Sequence, residues 1–503
     1  MKEKQQIKYG AILSYLLLFI NAVYGFVTIP FILQYVSSAS YGVYKSIASL
    51  SASIAVVDFG LGTTMTRYIA KYKAQKDNDG ANNFAGMVFV EFLIVFALLT
   101  IVGIVCFLNL NNIYSHSFSS QEIDLARTLF IFLIINLALT FFENLFFGIV
   151  IGSGHFVFSN SAKLISILAR AALLFIFLPL TRNIFVVVIS ETIVILVTIL
   201  IFIIYSRVKV GIKPKIKKWD GSLFKESLVY TLFVFAQNII IQFNGNVDNV
   251  LIGAIISSNA VTVYSMSLIV YVTYENLATS ISNLMLPRMT KKVVIGATPF
   301  ELQSDVEKAG KFQYYVLAAA LGGFFVLGKD FYKLWLGDGY DDCYLITLLL
   351  IVVTTFPLVE NVAISVLRAK NKMGYRTLIL FLSCVINIIT TIIGIRLWGY
   401  FGAAIGTAIG RIVSFLLMNI YYHKVIGFKV ISMMSKIMLK TTLCCFIPTI
   451  ITFKVHTFLN SSLLAFIINV LVFVVIYGII IFSFCLSKEE KVIIFGKFSK
   501  KLK

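Results

Sequence analysis

The stretch VVDFGLGTTMTRYIAKYK, residues 56–73, changes character along its length. It begins apolar, carries an acid (Asp58) and two glycines (Gly60 and Gly62), and ends basic with Arg67, Lys71 and Lys73. An apolar run that closes on lysine and arginine reads as the cytoplasmic end of a membrane span, because cytoplasmic connections carry the excess of basic residues. Asp58 fits such a run only if it faces another helix, freed backbone or a cavity, since a charge against lipid is costly. Residues 58 and 67 are nine positions apart in the sequence. At about 100° per residue they point to opposite faces of a helix, so the two do not form a simple intrahelical pair. Gly60 and Gly62 permit close helix packing or a bend.

The rest of the chain repeats this pattern. Of 503 residues 59% are hydrophobic and only 13% charged, with a mean hydropathy of +0.93. A soluble domain has about a quarter of its residues charged, so the natural solvent of this chain is lipid. Abundant aromatics (45 Phe, 24 Tyr) and only 7 prolines suit long helices. Spans of roughly 20 mostly apolar residues recur at 9–36, 41–66, 83–108, 124–151, 157–180, 183–206, 224–254, 259–287, 309–328, 344–367, 375–397, 400–422, 433–453 and 460–485. The first follows MKEKQQIK and imitates a signal peptide, but it is too long for a signal core and no small-x-small site closes it; a retained span is expected. The six cysteines form no CxxC pair and the four histidines show no ligand spacing. No disulfide framework, metal or cofactor is expected from them.

Charge orients the spans. With the N-terminus cytoplasmic, 33 of the 43 basic residues fall in the tails and in alternate connections, and the opposite connections hold only Arg182, Lys329, Lys333, Arg396 and Lys454. The net charge of +20 is thereby accounted for without nucleic acid. Residues 37–44 (SSASYGVY) and 257–264 (SSNAVTVY) share four of eight positions at a constant offset of 220. The offset spans six helices, an even number, so the two halves enter the membrane the same way, as parallel repeats. The expected fold is all-α and polytopic: about 14 transmembrane helices in two parallel six-helix bundles plus two C-terminal helices, both termini cytoplasmic. The bundles are 1–206 and 224–425, joined by a basic linker at 207–223, with 426–503 holding the last two helices and a basic tail.

Asp58, Glu91, Glu143, Arg170, Glu191, Asp248, Glu275, Glu360 and Arg411 lie deep by these boundaries, Lys45 and Arg127 nearer the outer face. Each either pairs between helices or serves the function. Residues 237–249, rich in Asn and Gln, must face protein or water. Arginine keeps its charge, and its planar fork matches phosphate. Arg170 and Arg411, one near the midplane of each half, are therefore candidate cations for an anionic substrate such as a diphosphate, with Lys45 and Arg127 beside them. Asp58, Gly60, Gly62, Arg67 and Arg288 form a candidate cytoplasmic gate or rim. Glu143, Asp248, Glu275 and Glu360 are candidate proton or Na⁺ coupling sites, or arginine partners. No Walker A sequence is present, and Asp58-Phe59-Gly60 lacks every other kinase element. No hydrolase or zinc-protease constellation appears, and no connection is long enough for a catalytic domain. A transporter is expected rather than an enzyme.

At this point a resemblance adds to the residues. VDFGLGTTMTRYIAKY (57–72), LWLGDGY (334–340) and YFGAAIGTAIG (400–410) are similar to the motifs of bacterial O-antigen and capsule repeat-unit flippases, within the multidrug/oligosaccharidyl-lipid/polysaccharide exporter superfamily. The resemblance spans the whole chain. It implies two six-helix bundles around a central, cationic cavity in the cytoplasmic membrane of a bacterium. It implies movement of an undecaprenyl-diphosphate-linked oligosaccharide between leaflets by alternating access, driven by H⁺ or Na⁺, with a polysaccharide polymerase and a chain-length regulator as partners. The many intramembrane acids also suit a drug/cation antiporter of the same superfamily. A membrane-embedded polymerase or glycosyltransferase is the third reading.

Overall fold

A computed structural model describes residues 3–54, 61–370, 372–458, 462–487 and 490–491 of the chain. Among them every regular element is a helix, as the apolar runs dictate: α1 Glu3–Tyr35, α2 Ser38–Ile54, α3 Leu61–Ala74, α4 Asn78–Tyr114, α5 Ser120–Gly152, α6 Phe156–Thr181, α7 Phe185–Tyr205, α8 Gly221–Ile255, α9 Ser258–Val294, α10 Pro299–Leu336, α11 Asp342–Val359, α12 Asn361–Ala369, α13 Gly374–Ile426, α14 Val430–Phe458 and α15 Leu463–Ile480. Among the described residues ten helical stretches are long and apolar enough to cross a membrane. The 344–367 span breaks at Glu360 just after Pro357, α13 joins the 375–397 and 400–422 spans across a kink at Trp398–Gly399, and the described residues of the 41–66 span lie in α2 and the start of α3.

Helix starts follow local chemistry. Ser119 and Glu122 close a capping box on α5, and Thr298 and Glu301 do the same for α10, with Pro299 in the first turn. The basic linker is not loose. The side-chain oxygens of Asn82 and Asn83 on α4 accept from the backbone N–H groups of Lys213, Lys217 and Lys218, while Val210 and Ile212 are buried.

The chain divides into two compact units, Met1–Ser265 and Met266–Lys503. This division by contact falls later than the 206/224 division read from the loops, because α8 packs on α2 within the first unit. In that unit α5 is central, packing on α2, α3, α4 and α7, while α1 lies along α6. In the second, α10 packs on α11, α14 and α15, and α11 on α13.

Small residues set two of the closest approaches. A β-carbon on Gly148 of α5 would lie 2.7 Å from the Gly62 carbonyl of α3, and one on Gly152 would lie 2.7 Å from the Thr66 carbonyl. The two limbs of α13 fold against each other in the same way: a β-carbon on Gly402 would lie 1.9 Å from the Gly394 carbonyl, and one on Gly406 would lie 2.6 Å from the Thr391 nitrogen. The glycines of YFGAAIGTAIG are thus a packing surface. Gly402→Leu should destabilise the folded protein by about 3 kcal/mol or more, at or above the upper end of overpacking costs. Gly25→Leu, where a β-carbon meets nothing within 4 Å, is the control. Thermal melting in detergent checks this; equal melting temperatures for both variants would contradict the packing role.

Candidate functional site

Two half-buried cations of the first unit lie on α6. Lys163, Ser166 and Arg170 are spaced three and four residues apart, so they share one face. That face closes a polar cleft of about 230 Å³ with α1, α5 and α7. Two ion pairs line it. Lys163 Nζ meets Glu143 Oε1 of α5 at 2.7 Å, and Arg170 Nη1 donates to Glu191 Oε1 of α7 at 2.9 Å. The Arg170 guanidinium also rests on the Tyr24 ring, 4.8 Å from its centroid. Its Nε has no hydrogen-bond partner among the described residues, although a guanidinium has five donors to place. Glu191 therefore holds Arg170 in position without exhausting it. Asn21, Thr140 and Thr198 supply further polar lining.

The second unit repeats the chemistry with different helices. Arg411 Nη2 of α13 pairs with Glu275 Oε1 of α9 at 3.0 Å, and its guanidinium lies 6.0 Å from the Tyr271 ring centroid, one turn before Glu275. Each unit thus holds one arginine, one glutamate and one tyrosine ring in mutual contact. Among the described pairs Glu275 partners an arginine, whereas Glu143 partners Lys163.

Of the remaining candidates Lys45 lies within electrostatic reach of Glu191, and the others are spread out. Lys45 lies 5.6 and 5.8 Å from the centroids of the Tyr41 and Tyr44 rings on its own helix. Arg127 is paired with Asp124, three residues before it, at 3.6 Å, both side chains largely exposed. Arg67 is exposed over the Tyr68 ring. Gly62 serves the α3–α5 contact. Asp58 and Gly60 lie outside the described residues. Arg288 and Lys292 of α9 both reach Asp305 of α10, at 2.9 and 2.5 Å, tying these helices at their basic end. Glu360 is buried at the α11–α12 break near Asn419, and its Oε2 has no hydrogen-bond partner among the described residues. Asp248 is buried and accepts from Tyr264 Oη at 2.6 Å.

The charge pattern of the sequence counts Lys163 among the 33 basic residues of the tails and alternate connections and leaves Glu191 a deep acid with no named partner. The structure corrects the first: Lys163 lies inside α6, two turns from Arg170, and the seven-residue spacing was the available signal. It also joins the two echoing segments. A β-carbon on Gly42 would lie 1.8 Å from the Ser258 carbonyl, and Thr262 Oγ1 donates to the Ser38 carbonyl at 2.7 Å. At an offset of 220, Gly42 corresponds to Thr262 and Ser38 to Ser258. The two contacts are one contact read from either repeat, the signature of local two-fold self-complementarity. Buried polar bonds surround it: Ser46 Oγ to Tyr114 Oη at 2.9 Å, Asn249 Nδ2 to Ser49 Oγ at 3.1 Å, and Ser265 Oγ to Asn249 Oδ1 at 3.2 Å. Ser258 also donates to Glu122.

Comparison with known proteins follows from this geometry. A family model described as polysaccharide biosynthesis protein matches residues 7–293. Curated protein sequences give no match. Among solved structures the chain is similar to the lipid II flippase MurJ in an inward closed conformation, with a TM-score of 0.71 and 14% identity over 97% of this chain and 99% of that one. It is similar to an inward-facing multidrug-resistance MATE transporter of the MOP superfamily, with a TM-score of 0.61 and 16% identity over 81% and 98%. A mutant of the Vibrio cholerae MATE transporter VcmN gives 0.58 and 16% over 84% and 98%. At these identities the likeness is one of fold.

Proposed function

The chain belongs to the polysaccharide biosynthesis protein family, and from that premise we propose that it is a flippase for undecaprenyl-diphosphate-linked oligosaccharide repeat units of a surface polysaccharide such as an O-antigen or capsule. The observation that carries this reading is Arg170: a half-buried guanidinium, held by Glu191 and Tyr24 in a polar cleft, with a donor still to place. A diphosphate offers the oxygens such a fork binds best. Arg411, set in the same chemistry in the second unit, is proposed as the matching contact in that half. The fold likeness to a lipid II flippase supports a lipid-linked cargo, and the family supports a polysaccharide pathway. The membrane would be the bacterial cytoplasmic membrane. Delivered units would pass to a polymerase and its chain-length regulator.

Alternating access requires a contact that opens and closes. The Gly42–Ser258 and Ser38–Thr262 contact is proposed as the closed gate on the face opposite the basic loops. Coupling to H⁺ or Na⁺ needs an acid that can change its charge. Glu143 and Glu275 are held by cations, whereas Glu360 is buried against a neutral amide and enters no ion pair among the described residues. Glu360 is therefore proposed as the coupling group, with Asp248, bonded to Tyr264, the second choice.

A second reading has one observation in its favour. Each cleft arginine is matched by a glutamate, so a cation could take the arginine's place in a drug antiporter of the same fold. Deleting the gene in its polysaccharide-producing host separates the two. The flippase reading predicts lipid-linked repeat units accumulating on the cytoplasmic leaflet, with drug sensitivity unchanged. Normal surface polysaccharide with new drug sensitivity would overturn it in favour of the antiporter.

A further inference from the structure

Beside the polar cleft, between α6 and α7, runs a larger apolar groove of about 600 Å³. Its floor is sequence-determined. Ala162, Ser166, Ala169 and Ala172 recur at helical spacing along α6, a stripe of small side chains that leaves the helix surface hollow. Its rim on α7 is Ile193, Val197 and Ile201, four residues apart and all exposed. β-branched chains of this kind are stiff in a helix, so the rim does not fold inward to fill the hollow.

The groove and the polar cleft are not separate features. Ser166, Val194 and Thr198 line both, so a seam one side chain thick divides them. On one side of it stand Lys163 and Arg170, each beside its paired glutamate, and on the other an apolar groove. A purely apolar ligand has no use for the cations, and a sugar or free phosphate has none for the groove. An amphipathic ligand with an anionic head and a long, narrow apolar chain uses both.

We propose that the α6–α7 groove seats the isoprenoid chain of a polyprenyl diphosphate whose headgroup lies in the adjoining cleft on Lys163 and Arg170. This rests on the flippase reading and deepens it, by giving the lipid part of the cargo its own track on the first unit. The head is bound by charge and hydrogen bonds, the chain by apolar contact. The small floor sets the width of chain that fits.

The test is photocrosslinking of the full-length protein in phosphatidylcholine nanodiscs with a diazirine-tailed polyprenyl diphosphate. Crosslinks are expected on peptides of α6 and α7. Ala169→Trp, which fills the floor, should reduce them about tenfold, a modest loss of 1.4 kcal/mol in affinity, and Ala172→Trp should act alike. Unlabelled undecaprenyl diphosphate should compete, and a diazirine-tailed phosphatidylcholine should label the groove weakly and without that competition. Equal, uncompeted labelling by phosphatidylcholine would make the groove an ordinary bilayer contact and overturn the proposal. Crosslinks that survive both tryptophans, or map to other helices, would also overturn it while leaving the flippase reading standing. Absence of any polyprenyl diphosphate binding would count against both.

Discussion

On the proposed flippase function, Arg170→Ala is expected to lower the rate of lipid-linked oligosaccharide transfer by about 10- to 100-fold, the loss for one charge-assisted, forked contact to phosphate worth about 1.5–3 kcal/mol. The variant also leaves Glu191 in the cleft without its cation, which by itself destabilises the fold. Arg170→Ala combined with Glu191→Gln removes that second effect. If Arg170 only holds α6 to α7, the double variant regains both stability and transport. If Arg170 binds the diphosphate, the double variant regains stability and remains slow. Arg170→Lys keeps the charge but not the planar fork, and falls between the two. Transport rates in membrane vesicles, set beside melting temperatures of the same variants, decide the matter. Full activity of the double variant would remove Arg170 from the substrate contact.

Gly42→Leu is expected to act on the conformational cycle. Its β-carbon would lie 1.8 Å from the Ser258 carbonyl, a distance no side chain tolerates, so α2 and the start of α9 must separate. Overpacking costs of about 1–3 kcal/mol shift an equilibrium between closed and open contact by about 5- to 150-fold. Thr262 is fully buried and serves as the reporter. In a Thr262→Cys background with the six native cysteines replaced, a membrane-impermeant maleimide should label the wild-type contact slowly and the Gly42→Leu variant at least about tenfold faster, while transport stops. Labelling that does not change would show that the repeats meet there without forming a gate.

Much of this fold was legible because two signals are physically unavoidable. Spans must be long and apolar to lie in lipid, and basic residues must gather on one side; the all-helical, multi-pass character follows from those alone. The close approach of the α13 limbs was legible in YFGAAIGTAIG, because only glycine lets backbones meet at such distances. Other features depend on three-dimensional pairing that no periodicity encodes. Sequence shows that Arg170 is deep, but not that its partner is Glu191, twenty-one residues on, or that Tyr24 lies beneath it. Lys163 was hidden by its position near a helix start, where a lysine reads as a topological anchor. The break at Glu360 follows Pro357 and was foreseeable in kind, yet the burial of the carboxyl against Asn419 was not. The repeat at an offset of 220 was visible as an echo of four residues; that the two copies face each other required coordinates.

The proposed activity is movement of a lipid diphosphate carrying an oligosaccharide from one leaflet to the other. Purified protein reconstituted in liposomes with a fluorescent undecaprenyl-diphosphate oligosaccharide tests it most directly, by the fraction of probe that an impermeant reagent can reach over time. The account predicts that wild-type protein makes the inner-leaflet half of the probe accessible, faster when an ion gradient is imposed. It predicts that Glu360→Gln loses the response to the gradient and that Arg170→Ala is slow with or without it. Probe that stays confined to its leaflet in the presence of folded, wild-type protein and a gradient, at the rate seen in empty liposomes, would contradict the account.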